Sequence, residues 1–449
     1  MISSHPHIIS ILAMAGCILA VVAGATDAEE CIEVAPVWSG HPVGFSLLST
    51  PKRQFVGFYD AERKLTVASR WLAQKTWRFV TLPETLGWDS HNYVTMALDD
   101  DGRIHLCANM HSSPLVYFRT RIAGDIRTLE RVPTMLGRDE ARCTYPQFLR
   151  GPKGEFLFTY RSGGSGNGDQ IYNLYENGSR KWRRLLDSPL TSGDGRMNAY
   201  FTGLRHYPDG YYHLAWVWRD TPACETNHDL SYARSRDLVH WERSDGKPFQ
   251  LPITLETAEI VDPIPPGGGL INGGVTIGFD SRKRLVISYQ KFDEKGNNQA
   301  YSARLEDGSW KIYRTSDWGH RWYFSGNGSI SFEIRVGSVA VEPDGRLSQT
   351  YDHAVHGAGK WILDEETLRP IETIVRPSSP QSAAAGTTGD RQLVARSQND
   401  SGASGEAGVR YFLRWETLGP NRDRPREGEL PGPSMLNVCR QEIVPAIVK

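Results

Sequence analysis

Asn198-Ala199-Tyr200, then Asp209-Gly210, then Trp216-Val217-Trp218-Arg219, then Trp241: this run carries the phrase on which the fold turns. A small or polar opening strand leads through a tight turn into an aromatic-rich strand, and a third strand closes near a tryptophan. Upstream the phrase recurs from Pro42-Val43-Gly44-Phe45 through Phe58-Tyr59-Asp60 to Trp77. It returns from His91-Asn92-Tyr93 through Asp100-Asp101-Gly102 to Val116-Tyr117-Phe118-Arg119, and from Tyr145-Pro146-Gln147-Phe148 through Phe158-Thr159-Tyr160-Arg161 to Trp182. Downstream copies run from Asn272-Gly273-Gly274 to Trp310 and from Gly328-Ser329-Ile330 to Trp361, and a weaker seventh covers Ala384 to Trp415.

Each copy consists of short alternating stretches bounded by Gly, Asp and Pro, which read as strands and hairpin turns. No segment holds a helical period. The copies span roughly fifty to seventy residues, against about 40 to 50 for a typical propeller blade. A β-helix needs shorter repeats and a jelly roll does not repeat. The expectation is an all-β chain, a seven-bladed β-propeller forming a single domain over residues 31–439.

Composition narrows the partners. The 449 residues are 39% hydrophobic and 23% charged, as in an ordinary globular protein. With 51 basic against 52 acidic residues the net charge is -1 and no basic stripe stands out, which argues against nucleic acid. Thirteen Trp and 18 Tyr supply flat amphipathic rings, suited to sugars and equally to packing between blades.

Residues 1–25 read as a signal peptide: Ile8 to Ala25 is apolar and small, and Ala23-Gly24-Ala25 resembles a cleavage site. The n-region offers His5 and His7 in place of Lys or Arg. Met14-Ala15-Gly16-Cys17 has a trace of a lipoprotein box, but apolar residues continue past Cys17, so cleavage is expected near Ala25 or Ala28. No second run approaches a membrane span. The mature chain is therefore expected to be a monomer, secreted or periplasmic. It keeps Cys31, Cys107, Cys143, Cys224 and Cys439, whose spacing fits no zinc pattern. In a ring the chain ends meet, so a closing Cys31–Cys439 disulfide and two unrelated thiols are both open readings.

Four patches concentrate reactive side chains. Ser90-His91-Asn92-Tyr93 with Asn109-Met110-His111 places two imidazoles near one rim, and imidazole is the natural proton-transfer group at neutral pH. Tyr160-Arg161 leads into Ser162-Gly163-Gly164-Ser165-Gly166-Asn167-Gly168, which lacks the Lys and helix of a phosphate-binding loop. Trp218-Arg219-Asp220-Thr221-Pro222, with Thr226-Asn227-His228 after it, offers a guanidinium for a carboxylate. Trp318-Gly319-His320-Arg321-Trp322-Tyr323 suits gripping a sugar. Among strand-opening residues, His91-Asn92, Asn198 and Asn272 are expected to face the axis; Asn92, Asn198 and Tyr200 are expected to bind substrate, with His228, Arg321 and Trp322. Asp99, Asp100 and Asp101 read as turn residues, and no Asp/Glu pair of the glycosidase kind stands out. His, Tyr and Arg without such a pair suit β-elimination on a uronic acid better than acid-assisted hydrolysis.

These stretches, together with Arg142-Cys143-Thr144-Tyr145-Pro146 and Ser231-Tyr232-Ala233-Arg234-Ser235, resemble the BNR-repeat-containing family from about Val37 to Trp415. That family includes seven-bladed propellers that remove terminal L-rhamnose from glucuronic acid in arabinogalactan glycans and, more distantly, ulvan lyases. Regular S-x-D-x-G-x-T-W boxes are absent here. The resemblance implies catalytic roles for His91 and His111, followed by Tyr160 and a neutralising Arg161 or Arg219. Other relatives are α-L-rhamnosidases that use the opposite face, for which His41 in Gly40-His41-Pro42 is the match. No cofactor is required by this chemistry. Relatives can hold structural calcium near the channel, for which no ligands here are assigned. Gln290 stands where many relatives have His and is given no role. A non-catalytic glycan-binding propeller would keep the aromatic patches without needing His91 and His111.

Overall fold

A computed structural model describes residues 29–376 and 392–443. The leader read over residues 1–25, and Ala384 at the start of the seventh phrase, lie outside the described residues. The rest is all-β: seven antiparallel sheets, with two single-turn 3₁₀ helices at Ile126–Thr128 and Cys224–Thr226. No helix among the described residues is long and apolar enough to cross a membrane.

The first sheet shows how the repeating phrase folds. Ser46–Ser49, Arg53–Tyr59, Lys64–Trp71 and Arg78–Thr85 pair in chain order, from the innermost strand outward. The Asp60 carboxylate closes the middle hairpin by accepting from the Glu62 and Lys64 amides, and Arg63 takes a positive φ in that turn. At Asp99-Asp100-Asp101-Gly102 the same device recurs: Asp99 accepts from the Arg103 amide, and Gly102 has φ 78°. Middle strands such as Tyr212–Arg219 are buried at every position, whereas outer ones such as Arg78–Thr85 are largely exposed. Neighbouring sheets cover both faces of a middle strand, so hydrophobic alternation is muted there.

The second sheet opens at Thr95–Leu98, the third at Cys143–Arg150, the fourth at Asn198–Phe201, the fifth at Thr276–Phe279 and the sixth at Ile334–Val341. The seventh differs. Val394–Asn399, Val409–Thr417 and Ser434–Glu442 are completed on the outside by Glu29–Val37 from the other end of the described chain. Cys31 pairs with Cys439 in that register and the two form a disulfide. Phe45 and Trp415, ring centroids 4.8 Å apart, pack the first sheet against the last. The Arg422 amide donates to the Ser329 carbonyl at 3.1 Å, tying the seventh sheet's long loop to the segment that opens the sixth.

Candidate active site

One cavity of about 310 Å³ gathers the chemistry, lined by residues of the second to sixth phrases. His91 lies in the turn ahead of Thr95–Leu98. His111 does not stay with the second sheet: His111–Ser113 crosses over and pairs with Cys143–Arg150 of the third, with His111 opposite Thr144. Asn109 and Ser112 flank it at φ 56° and 53°, the backbone turn that brings the imidazole beside His91. The two rings stack with centroids 4.2 Å apart.

Asp89 governs both rings. Its Oδ1 lies 2.7 Å from His91 Nδ1, and its Oδ2 takes a short hydrogen bond from His111 Nδ1. Burial opposes the charge on Asp89, but the two imidazole hydrogen bonds outweigh it and hold the carboxyl far below the usual carboxylate range. An ionised carboxylate on each Nδ1–H leaves Nε2 as the free nitrogen of both rings. Asp423, from the loop between the last two strands, accepts from the Ser90 amide (3.0 Å) and hydroxyl (2.7 Å) and from the Ser329 amide (2.7 Å). It thereby clamps the His91 turn to the segment that opens the sixth sheet.

Beyond the histidines stand two phenols and two guanidinium groups. Tyr145 has φ 57°, rare for a bulky residue, and lies where the register shifts between Thr144 and Gln147. The bulge re-aims its ring into the cavity, 5.8 Å from His91 and 6.1 Å from Tyr200. Burial pushes the Tyr145 phenol up. Burial acts on Tyr200 in the same sense, but Arg161 and Arg219 beside it outweigh burial, and its pKa falls below the ordinary value. The Tyr200 hydroxyl lies 2.6 Å from Ser165 Oγ and 3.2 Å from Arg161.

The sequence expectations divide here. His91, His111, Tyr200 and Arg219 line the cavity. Arg161 does not: only 2% exposed, it lies behind Tyr145 and Tyr200 and reaches the site through them. Tyr160 is a correction, fully buried beside Phe158, with its hydroxyl toward Arg184. Successive strand residues face opposite sides, so Arg161 can reach the site while Tyr160 packs in the blade. Asn92 contributes its carbonyl, which accepts from Tyr59, and Asn198 is buried with its side chain on the Gly166 amide; neither lines the cavity. His228 is buried between Asp220 and Asp229; burial opposes its charge, but the two carboxylates raise its pKa overall. Arg321 stacks on Phe292, and Trp322 packs against Phe324 and Phe332; neither lines the cavity, although Phe332 does.

His41 is likewise no open catalytic face. It is 2% exposed, accepts from the Trp38 indole at 2.9 Å, and burial lowers its pKa to about 4 despite the nearby charges of Asp423 and Asp89. Asp89, Tyr145, Asp423 and Ser165 carry site geometry without having been singled out from sequence. Asp89 had the plainest signal, two residues before His91. For metals, Asp89, His91 and His111 bring their ligand atoms within 4.8 Å of one another. Two imidazoles and one carboxylate do not make the oxygen shell that calcium takes, so this group does not fit the calcium of relatives.

Antiparallel sheets packed side to side, the last completed by the first described strand, define a β-propeller. The chain belongs to the BNR repeat-containing family, whose description matches residues 53–318. Among solved structures it is similar to the polysaccharide lyase Uly1, with TM-score 0.59 and 14% identity over 93% of this chain and 100% of that one. A PL25 ulvan lyase aligns at TM-score 0.56 and 12% identity, over 91% of this chain and 95% of that one. The same enzyme has been solved bound to -[GlcA(1-4)Rha3S]-. At these identities the likeness is one of fold. No curated protein matches the sequence.

Proposed function

We propose that this protein is an exported, monomeric ring of seven blades over residues 31–439, secreted or periplasmic. In this reading it removes terminal L-rhamnose from glucuronic acid in acidic glycans of the arabinogalactan or gum arabic type, by β-elimination. One observation carries the proposal: two imidazoles, two phenols and the Arg219 guanidinium surround one cavity, and none of the described residues lining it is an Asp or Glu. Acid-assisted hydrolysis uses two carboxyl groups facing the sugar. Asp89 and Asp423 are instead engaged by histidine, serine and backbone donors.

Each group then has a task. Arg219 pairs with the uronate carboxylate and favours carbanion character at C5. An imidazole Nε2 takes the C5 proton. The C4–O4 bond breaks as the C4–C5 double bond forms, and Tyr145, kept protonated by burial, gives its proton to the oxygen leaving with rhamnose. Arg161 and Ser165 hold Tyr200 beside them.

Rhamnose release alone does not separate elimination from the α-L-rhamnosidase reading. Elimination leaves a double bond conjugated to the uronate carboxylate, which absorbs ultraviolet light. Hydrolysis draws the new anomeric oxygen of rhamnose from water. The decisive reaction is run on a rhamnosyl-glucuronate glycan in heavy-oxygen water with absorbance recorded. An absorbance rise with rhamnose initially unlabelled is expected. Label in fresh rhamnose without an absorbance rise overturns elimination, and binding without product moves the protein to the glycan-binding class.

A further inference from the structure

A second cavity, of about 300 Å³, opens far from the histidines, between the outer strands of the first sheet and the Ile122–Arg127 turn of the second. Arg53 and Tyr59 begin and end one strand, and the Tyr59 hydroxyl bonds the Asn92 carbonyl beside the histidine site. At about 3.3 Å per residue, the Arg53 end is about 20 Å from that site, toward the other face of the ring.

The cavity wall holds four arginines, Arg53, Arg70, Arg78 and Arg127, against one acid, Asp125. Asp125 pairs with Arg127 through bonds of 2.9 and 2.7 Å and also feels the charge of Arg53. Arg70 is 6% exposed and spends its donors on neutral acceptors: the Gln54 side chain at 2.9 Å and the Leu72 and Gln74 carbonyls. Burial lowers its pKa, and Glu30, which opposes that at longer range, is itself paired with Lys75 at 3.3 Å. Arg53 donates to the Gly124 carbonyl and lies 4.0 Å over the Trp71 ring, which is 43% exposed. The Arg78 side chain is exposed and forms no ion pair among the described residues.

We infer that this cavity is a binding site for an anionic sugar residue, its carboxylate or sulfate taken by Arg78 and its neighbouring guanidinium groups and its ring set against the exposed part of Trp71. The excess positive charge supplies the preference for an anion, and the half-exposed indole, one face of which Arg53 covers, supplies apolar surface at the cavity wall. That the anion is carried by a saccharide rests on the function proposed above; that the cavity takes an anion does not. Such a site would hold a polymer while its end is worked on at the other face.

The test is affinity electrophoresis of the full chain carrying His91→Ala, so that nothing is turned over. Gels are cast with gum arabic, the same polymer after carboxyl reduction, dextran sulfate, or neutral dextran. Retardation by gum arabic that carboxyl reduction abolishes assigns a uronate; retardation by dextran sulfate alone assigns a sulfate ester. Adding Arg78→Glu and Arg127→Glu, both on exposed side chains, should weaken the retardation at least tenfold, about the loss of one charge-assisted hydrogen bond. Unchanged retardation in that variant, equal retardation by neutral dextran, or none in any acidic gel overturns the inference. Arginine-dependent retardation by a protein that releases no rhamnose would leave this site standing while the lyase reading falls.

Discussion

His91 and His111 stack with 29° between their ring planes, and each turns Nδ1 toward a different oxygen of the single Asp89 carboxylate. One acid thus sets the tautomer of both rings. The pairing rests on two unrelated pieces of backbone: a turn ahead of the second sheet and a three-residue strand lent to the third.

Asp89→Asn should therefore be nearly as damaging as loss of a histidine. An amide still accepts from one ring but presents an N–H to the other, turning its proton to the wrong nitrogen. We expect kcat to fall on the order of 10²–10⁴ with KM little changed. His91→Ala should fall in the same range. Steady-state kinetics on a rhamnosyl-glucuronate glycan checks this, and an Asp89→Asn variant with near-normal kcat would show that the carboxylate only packs.

Tyr145→Phe and Tyr160→Phe form a matched pair. Both remove one hydroxyl, but only Tyr145 reaches the cavity; Tyr160 Oη has a long 3.4 Å contact with Arg184 inside its blade. Tyr145→Phe should lower kcat by roughly 10²-fold or more. Tyr160→Phe should leave turnover unchanged within error and cost about 1 kcal/mol of stability. Parallel losses of activity in the two variants would remove Tyr145 from the acid role.

Acid should weaken the fold before the carboxylates titrate. Burial lowers the pKa of His41 from 6.5 to about 4, and burial, with His356 and His320 alongside, lowers that of His353 to about 3. Between those values and 6.5 the unfolded chain binds protons that the folded chain refuses, so stability is full above pH 6.5 and declines as pH falls toward 4. Each group contributes on the order of 3 kcal/mol to that decline. His228, whose pKa is raised, acts in the opposite sense, its contribution fading as pH rises. Tm measured from pH 7 to pH 4 should drop, and His353→Gln should flatten the slope; a Tm that holds or rises would contradict the burial argument.

Much of this was local and so legible in the sequence. Asp60 and Asp99 build their turns from amides within four residues, and the strands of the first, fifth and sixth sheets pair in chain order. The imidazoles beside the Ser90-His91 and Asn109-Met110-His111 motifs likewise advertised their chemistry. The recurring phrase was legible because hairpin geometry depends on near neighbours alone.

What the sequence by itself determined was which segments are strands, where they turn, and which residue types could move protons. Which side chains share the cavity was decided only in three dimensions. Tyr145 enters it through a bulge, while Tyr160 and Arg161, adjacent in the chain, part company because side chains alternate across a strand. Both faces of a middle strand are buried here, so apolar patterning does not say which face looks toward the cavity. Asp423 reaches Ser90 across 333 positions of sequence, and Cys31 meets Cys439 across 408. Asp423 leaves no local mark, and the cysteines left two readings open, because ring closure sets those contacts and no spacing along the chain encodes them.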